Sequence, residues 1–391
     1  MVRAYAVLSS IIPIRVFLIA GALVVGTVAG CKENTNATQQ VEVHEESIPE
    51  RPLRYAGKVA LELQETFQLG FDKDMPGIGR VEWMGISPEG TLMVTDDVTH
   101  QAHEINYLDN KYIRSFGRSG RGPGEHVSAK TMTIDNEGRV YLLDAVRGQI
   151  LRYDRKGRYL DQTQSYNTSN IHAGRNGDIF FLRVNSSLIV ELQRRDRATW
   201  DVLSRTPLSN RNQSFVSYRM RPMPKLCYNA SLQALYYLGP NDYLVKEIDA
   251  VTGEITAKFG RRPNGYVALP DRYHDIERGT LEDMQQLDIT TVESMTLVED
   301  RYLFVSYNHP KTLEREWVIY MINPSGTIDV FDLDDDTSRL LHPFSPDPDE
   351  VEMGAITGAQ ELIYIWRPPL FEVADRSNGT LEKYAVKQDL H

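Results

Sequence analysis

Short apolar runs bounded by turn residues recur along the chain, and few stretches carry the three-to-four residue spacing of an amphipathic helix. The clearest runs are Thr91 to Asp96 (TLMVTD), Arg139 to Asp144 (RVYLLD), Asp178 to Arg183 (DIFFLR), Gln233 to Leu238 (QALYYL), Arg301 to Ser306 (RYLFVS) and Glu361 to Trp366 (ELIYIW). Their starts lie 48, 39, 55, 68 and 60 residues apart. Such runs, rich in β-branched and aromatic residues and followed by Gly, Asn or Asp, predict strands and hairpins. Unequal intervals of this size suit a ring of similar sheets with loops of variable length, not a tightly periodic solenoid. Arg272 to Gln286 is expected to form one short helix, as a decoration inside the longest insertion.

The segment from Arg114 to Leu160 shows the repeat most completely. A strand ends in Phe116-Gly117, a loop carries Gly120, Gly122 and Gly124, and three short strands follow at Lys130 to Ile134, Arg139 to Leu143 and Gln149 to Tyr153. Asn136-Glu137-Gly138 and Asp154-Arg155-Lys156-Gly157 supply the turns. This order resembles the NHL repeat, within the NHL-repeat and TolB-like propeller superfamily, and the segment reads as one blade. The resemblance implies an all-β fold, a six-bladed antiparallel propeller over residues 58–391. Lys58 to Leu69 resembles an outermost strand, and two closures of the ring are compatible with the pattern. Either this strand completes the sixth blade next to Thr380 to Val386, or Phe371 to Ala374 and Thr380 to Val386 complete it locally. The first leaves no long exposed strand edge near the termini.

Residues 1–30 read as an export signal. Arg3 and Arg15 precede or open an apolar run, Val16 to Val28, that is short of the about 20 residues needed to span a bilayer. Ala29-Gly30 directly before Cys31 resembles the lipobox of bacterial lipoproteins, which implies cleavage before Cys31 and lipid on it. Residues 31–57 then form a tether: Lys32 to Gly57 is polar and aperiodic, with no aromatic residue before Tyr55. Lys32, where an inner-membrane retention signal has Asp, implies an outer-membrane destination.

The chain has a net charge of −11, and loss of residues 1–30 removes two arginines and leaves −13. Nucleic acid is therefore excluded as a partner, since its binding rests on neutralising phosphates. With Cys31 acylated, Cys227 has no disulfide partner and reads as a small buried hydrophobe in a domain held by packing, taken as a monomer.

The search for chemistry is mostly negative. His100 and His103 would lie on opposite faces of a strand, and no HExxH, Walker or G-x-S-x-G motif occurs. Asp332 to Asp336 lacks the glycine and glutamate of a calcium loop, with Thr337 and Pro343 in their places. The Gly117 to Gly124 loop either cradles an anion through its backbone amides or only turns the chain between blades, as the NHL resemblance implies. Glu82 loosely resembles the metal-binding glutamate of gluconolactonase-type lactonases, but the Asn and Asp partners of that family are missing. Lyases of the amidating type resemble the same fold but need metal histidines and disulfides that the chain lacks.

Two functions are expected. The first is a cell-envelope module without cofactor that binds a protein, peptide or acidic glycan through its loop face. The second is a metal-dependent hydrolase with Ca²⁺ or Zn²⁺ in the channel, Glu82 being its weak candidate ligand. Glu82, Lys130, Asn170 or His172, Lys225, Glu293 and Glu352 should ring the channel mouth. Counted loop by loop, residues 117–130 carry +2, 209–227 carry +4, 260–293 carry −3 and 333–352 carry −6. The basic sector places Arg118, Arg121, Lys130, Arg219, Arg221, Lys225, Arg261 and Arg262 as candidates for docking an anionic partner, for which the planar fork of arginine is suited.

Overall fold

The computed structural model describes residues 48–68, 78, 81–87, 89–96, 99–106, 108–109, 111–187, 189–209, 223–270, 288–309, 315–333, 356–359, 362–367 and 380–388. Cys31, the expected helix, Phe371 to Ala374, Arg219, Arg221 and Glu352 lie outside them. The described residues form strands, turns and irregular segments without a helix.

The chain begins its fold with β1 (Leu53–Gln68). Blade 1 contains β2 (Val81–Ile86), β3 (Leu92–Asp96), β4 (Gln101–Asn106) and β5 (Lys111–Phe116). A short parallel pair, β6 (Arg118–Ser119) and β7 (Glu125–His126), folds the connection to the next blade. Blade 2 is β8 (Ala129–Ile134), β9 (Val140–Asp144), β10 (Gln149–Tyr153) and β11 (Tyr159–Gln164). Blade 3 is β12 (Thr168–Ala173), β13 (Asp178–Val184), β14 (Val190–Asp196) and β15 (Val202–Pro207). Blade 4 follows with β16 (Lys225–Asn229), β17 (Ala234–Leu238), β18 (Val245–Asp249) and β19 (Ile255–Phe259). Blade 5 is β20 (Thr291–Val298), β21 (Tyr302–Asn308), β22 (Arg315–Ile322) and β23 (Ile328–Leu333), and blade 6 contains β24 (Ile356–Ala359), β25 (Leu362–Arg367) and β26 (Thr380–Gln388). The innermost strands adjoin in the cyclic order β2, β8, β12, β16, β20, β24 and back to β2, so the ring has six blades.

Each blade is sandwiched between two others, and this decides which sequence runs stand out. The second strands β3, β9 and β17 are buried at every position, so they need apolar side chains on both faces and do not alternate. The outermost strands β5, β11 and β15 are largely half-exposed or exposed. Separate apolar clusters fill successive gaps. Met93, Phe116, Leu142 and Tyr153 join blades 1 and 2; Tyr141, Ile150, Ile179 and Phe181 join blades 2 and 3; Leu182, Leu192, Leu235 and Ile248 join blades 3 and 4. The repeated Asp-x-x-Gly turns work by one device. Asp135 accepts hydrogen bonds from the amides of Glu137 and Arg139 at 2.9 and 3.0 Å, Asp154 does the same for Lys156 and Arg158, and Gly138 and Gly157 take the left-handed conformation that closes each turn.

The sequence repeat is displaced from the structural blade by one strand. Arg114 to Phe116 is the end of the outermost strand of blade 1, and blade 2 starts only at Ala129 and includes the outer strand β11. The segment Arg114 to Leu160 therefore spans a junction between blades and is not a blade.

Closure is non-local. The second half of β1 pairs antiparallel with β26 from Val59↔Gln388 to Gln68↔Thr380, taking the outer position in blade 6. Its first half does something the sequence did not suggest, pairing parallel with β23 from Leu53↔Ile328 to Val59↔Leu333 and fusing blades 5 and 6 into one eight-stranded sheet. Ahead of it, the Arg51 amide donates to the Lys258 carbonyl and the Lys258 amide to the Pro49 carbonyl, both at 2.9 Å, on the outer strand of blade 4. Ordered pairing thus starts well before Lys58, and the last residues of the expected tether are part of the fold. Arg54 holds buried Asp329 through two bonds of 2.7 and 2.8 Å, and Arg51 reaches Glu247 at 2.5 Å.

A chain begun at Lys58 keeps the β26 pairing but loses Arg51, Arg54 and most of the parallel pairing. It is expected to melt below a chain begun at Ile48, by about 2 °C for each kcal/mol lost in a domain of this size. Thermal unfolding followed by circular dichroism is the check, and equal midpoints would show that the parallel half contributes nothing.

Candidate functional site

The loop face carries the connections between blades and those between second and third strands, and the inner strands start there around the channel. Glu82 and Lys130, each the second residue of its inner strand, form an ion pair across the gap between blades 1 and 2. An ammonium group against Glu82 opposes a divalent cation at the same carboxylate, and among the described residues no three His, Cys, Asp or Glu side chains converge on one point. Lys225 is pushed below its usual pKa by burial, with Glu293 acting against the shift, and Arg315 is lowered by burial with the same carboxylate opposing. Two cations therefore share one acid on the side of blades 4 and 5. His172 is a structural link: its Nε2–H donates to the Leu226 carbonyl at 2.8 Å, and burial lowers its pKa to about 4.

The glycine-rich loop does form an amide-lined cradle, and the protein fills it with its own carboxylate. Glu125 accepts from the Gly122 amide at 2.7 Å and from Arg118 Nε at 2.6 Å, and these bonds hold its carboxyl below the usual range. A Cβ on Gly120 would fall 2.2 Å from that carboxylate, and one on Gly117 would meet the Tyr153 hydroxyl at 2.6 Å and the His126 ring at 2.7 Å. These glycines permit close approach by side chains of the same chain.

The basic sector is much reduced by partners both near and distant in sequence. Arg118 is bound to Glu125 and Lys130 to Glu82, while Arg261 is bound to Asp332 at 2.5 Å and to Glu316 at 3.4 Å. Arg262 stacks over the Tyr266 ring at 5.1 Å. Arg121 is exposed, and Arg219 and Arg221 lie outside the described residues. Loop-by-loop counting missed Glu82, Glu316 and Asp332 because they come from strands.

A groove of about 180 Å³ opens among the loops of blades 2, 3 and 4, lined by Ala145, Gly148, Asn167, Val184, Met223 and Pro224 among others. Val146 and Tyr166, next in sequence to the lining residues Ala145 and Ser165, are exposed at 67% and 62%. Tyr166 lies over Gly148, where a Cβ would meet its ring at 2.4 Å. The turn that presents it is fixed by Ser165 N donating to the Gly148 carbonyl at 2.7 Å, by the Ser165–Thr168 hydroxyl pair at 2.6 Å, and by Asn167 in the left-handed region. An exposed aromatic on a turn held in this way, beside an apolar groove, has the geometry that suits contact with another molecule. The sequence signal was available in Tyr166-Asn167-Thr168-Ser169, an aromatic at an inter-blade junction.

Residues 73–185 match the model of the DUF5128 family, described as a 6-bladed beta-propeller. Among solved structures, a protein described as exported, from Bacteroides fragilis, aligns with a TM-score of 0.63 at 13% identity over 85% of this chain and 100% of its own. A member of the DUF4221 family from Bacteroides vulgatus aligns at 0.55 with 9% identity, over 85% and 99% of the two chains. A virginiamycin B lyase from Staphylococcus aureus aligns at 0.45 with 15% identity over 83% and 99%, too loosely to carry an argument. No curated protein matches the chain. At these identities the likeness is one of fold, and the fold is that of a six-bladed β-propeller.

Three buried histidines set an expectation for pH. Burial lowers His103 and His172 to about 4 and also lowers His126. In the unfolded chain each titrates near 6.5, so between about 6.5 and 4 the unfolded state binds more protons. Their contribution is complete above about pH 6.5 and declines on acidification toward the folded values. Urea unfolding at about pH 7 and about pH 5 should show this loss, and His172→Gln should reduce it; an unchanged pH dependence in the variant would remove His172 from the account.

Proposed function

We propose that this chain is a lipid-anchored binding module of the bacterial cell envelope, which captures a protein, peptide or glycan partner on the loop face of its propeller. The observation that carries the reading is the open groove bordered by Tyr166, Val146 and Met223. Its lining residues Met223 and Pro224 belong to a sequence, Asn210 to Lys225, that holds Arg211, Arg219, Arg221 and Lys225 without an acid. A partner that combines an apolar side chain with carboxylates fits both features. The ion pair on Glu82 favours this reading over metal-dependent hydrolysis, because the single candidate ligand is already engaged.

Export is supported by the leader, residues 1–30, and by the description of the Bacteroides fragilis structure as exported. The anchor is the lipid expected on Cys31, and Lys32 points to the outer membrane. Replacement of Cys31 by Ser should move the protein from the membrane to the soluble fraction; retention in the membrane would overturn the anchor. For the loop face, Tyr166→Ala and the pair Arg219→Glu with Arg221→Glu should each reduce the set of envelope components that co-purify with the protein after cross-linking. The charge-reversed protein should also lose the salt sensitivity of what remains. Identical recovery and salt response across all three proteins would place the binding surface elsewhere.

A further inference from the structure

On blade 3, the strands β13, β14 and β15 lie side by side, with Ile179, Phe181 and Arg183 opposite Arg195, Gln193 and Glu191, and Gln193 opposite Arg205. Ile179 and Phe181 pack in the gap toward blade 2, so Arg183, Arg195 and Arg205 share that face. The one acid among them is Glu191, 3.8 Å from Arg183. Its oxygens are also used by Gln193 at 2.7 Å and Asn185 at 3.1 Å. Arg195 has neutral partners, donating to Gln193 Oε1 at 3.2 and 3.0 Å and lying over the Phe181 ring at 4.9 Å. Arg205 is exposed and without a hydrogen bond or ion pair among the described residues.

Among the described residues, the acids of the opposite wall are engaged by partners of their own. There Arg152 is bound to Asp161, which also accepts from Trp200 Nε1 at 3.3 Å. The chain that follows β15, residues 210–222, contains arginines and no acid. Three guanidinium groups thus meet one carboxylate, a surplus of two positive charges in a chain of net −11. Like charges on neighbouring strands are destabilising, and burial together with Arg183 and Arg205 lowers the Arg195 pKa. A local conflict of this kind marks a functional site when nothing within the chain compensates it.

We infer that the face of blade 3 turned toward blade 2 binds a doubly charged oxyanion, the phosphate monoester of a soluble molecule or glycan, between Arg183, Arg195 and Arg205. The surplus of two charges matches a dianion, and the planar forks suit its oxygens.

Equilibrium dialysis of the purified full chain against radiolabelled inorganic phosphate tests it. Saturable binding of about one phosphate per chain is expected, displaced by sulfate and by glucose 6-phosphate but not by acetate. Arg205→Glu should weaken it at least about tenfold with a melting temperature no lower than that of the unaltered protein, since one of the repelling charges is removed, and Arg205→Lys should weaken it less, keeping the charge without the fork. Absence of saturable binding, equal binding by Arg205→Glu, or equal displacement by acetate would overturn the inference. Displacement by phosphatidylglycerol vesicles and not by glucose 6-phosphate would overturn the soluble source.

Discussion

The pairing of β1 with two blades is the constraint on which the ring depends. A propeller made of local hairpins alone would have a seam where the last blade meets the first, held only by side-chain packing. Here the N-terminal strand lies along β23 and then along β26, so backbone hydrogen bonds cross from blade 5 into blade 6. The cost is long-range order: residues near 60 must find partners near 330 and near 385, and such contacts reward the chain only after a large loop is closed. Burial of Val59 and Leu61 against Phe331, Leu333 and Tyr384 offsets that cost. The register is fixed by charge as well. In the observed alignment Arg54 meets Asp329, and a slip of one residue would leave that buried carboxylate without its cation, with Asn323 as its remaining partner.

How much of this the sequence disclosed follows from where each force acts. The six second strands were legible because a strand covered on both faces, as β3, β9 and β17 are, must be largely apolar; the observed starts at Leu92, Val140, Asp178, Ala234, Tyr302 and Leu362 fall within one residue of the runs read from sequence. Closure by the N-terminal strand was legible in kind, since Lys58 to Leu69 reads as an unpartnered strand. Its parallel half was hidden, because Leu53 to Gly57 carries exposed Leu53 and Tyr55 and resembles a tether until β23 is beside it. The blade boundary was misplaced by one strand, because the strongest sequence punctuation, the glycine loop after Phe116, lies between blades and not within one.

The candidate site was less legible, and the failure has one cause. Charge summed over a loop treats neighbours in sequence as neighbours in space, whereas in a propeller the close neighbours of a loop are the strands of the next blade. Arg118 kept its sequence-local partner in Glu125, but Lys130 and Arg261 were neutralised by Glu82, Glu316 and Asp332, all remote in sequence. The same effect works in reverse on blade 3. Arg183, Arg195 and Arg205 look ordinary in their own segments, each near an acid or amide, and only the strand register gathers them.

That contrast bears on where a protein of this architecture places its function. The inner strands bring glutamates and lysines close enough to pair, and the glycine cradle is filled by Glu125, so the features that look catalytic in sequence are largely satisfied from within the chain. What stays unsatisfied lies in the gaps between blades and on the turns above them. Tyr166 is held rigid over Gly148 with its ring in solvent, and Arg205 stands beside two other guanidinium groups with no carboxylate of its own. A turn that holds an exposed ring in place, as the one at Tyr166 does, lowers the ordering cost of a partner, and every blade junction of the ring repeats the opportunity. A scaffold whose stability comes from the gaps between blades can therefore vary the rims of those gaps, residue by residue, without disturbing the strands that hold it closed.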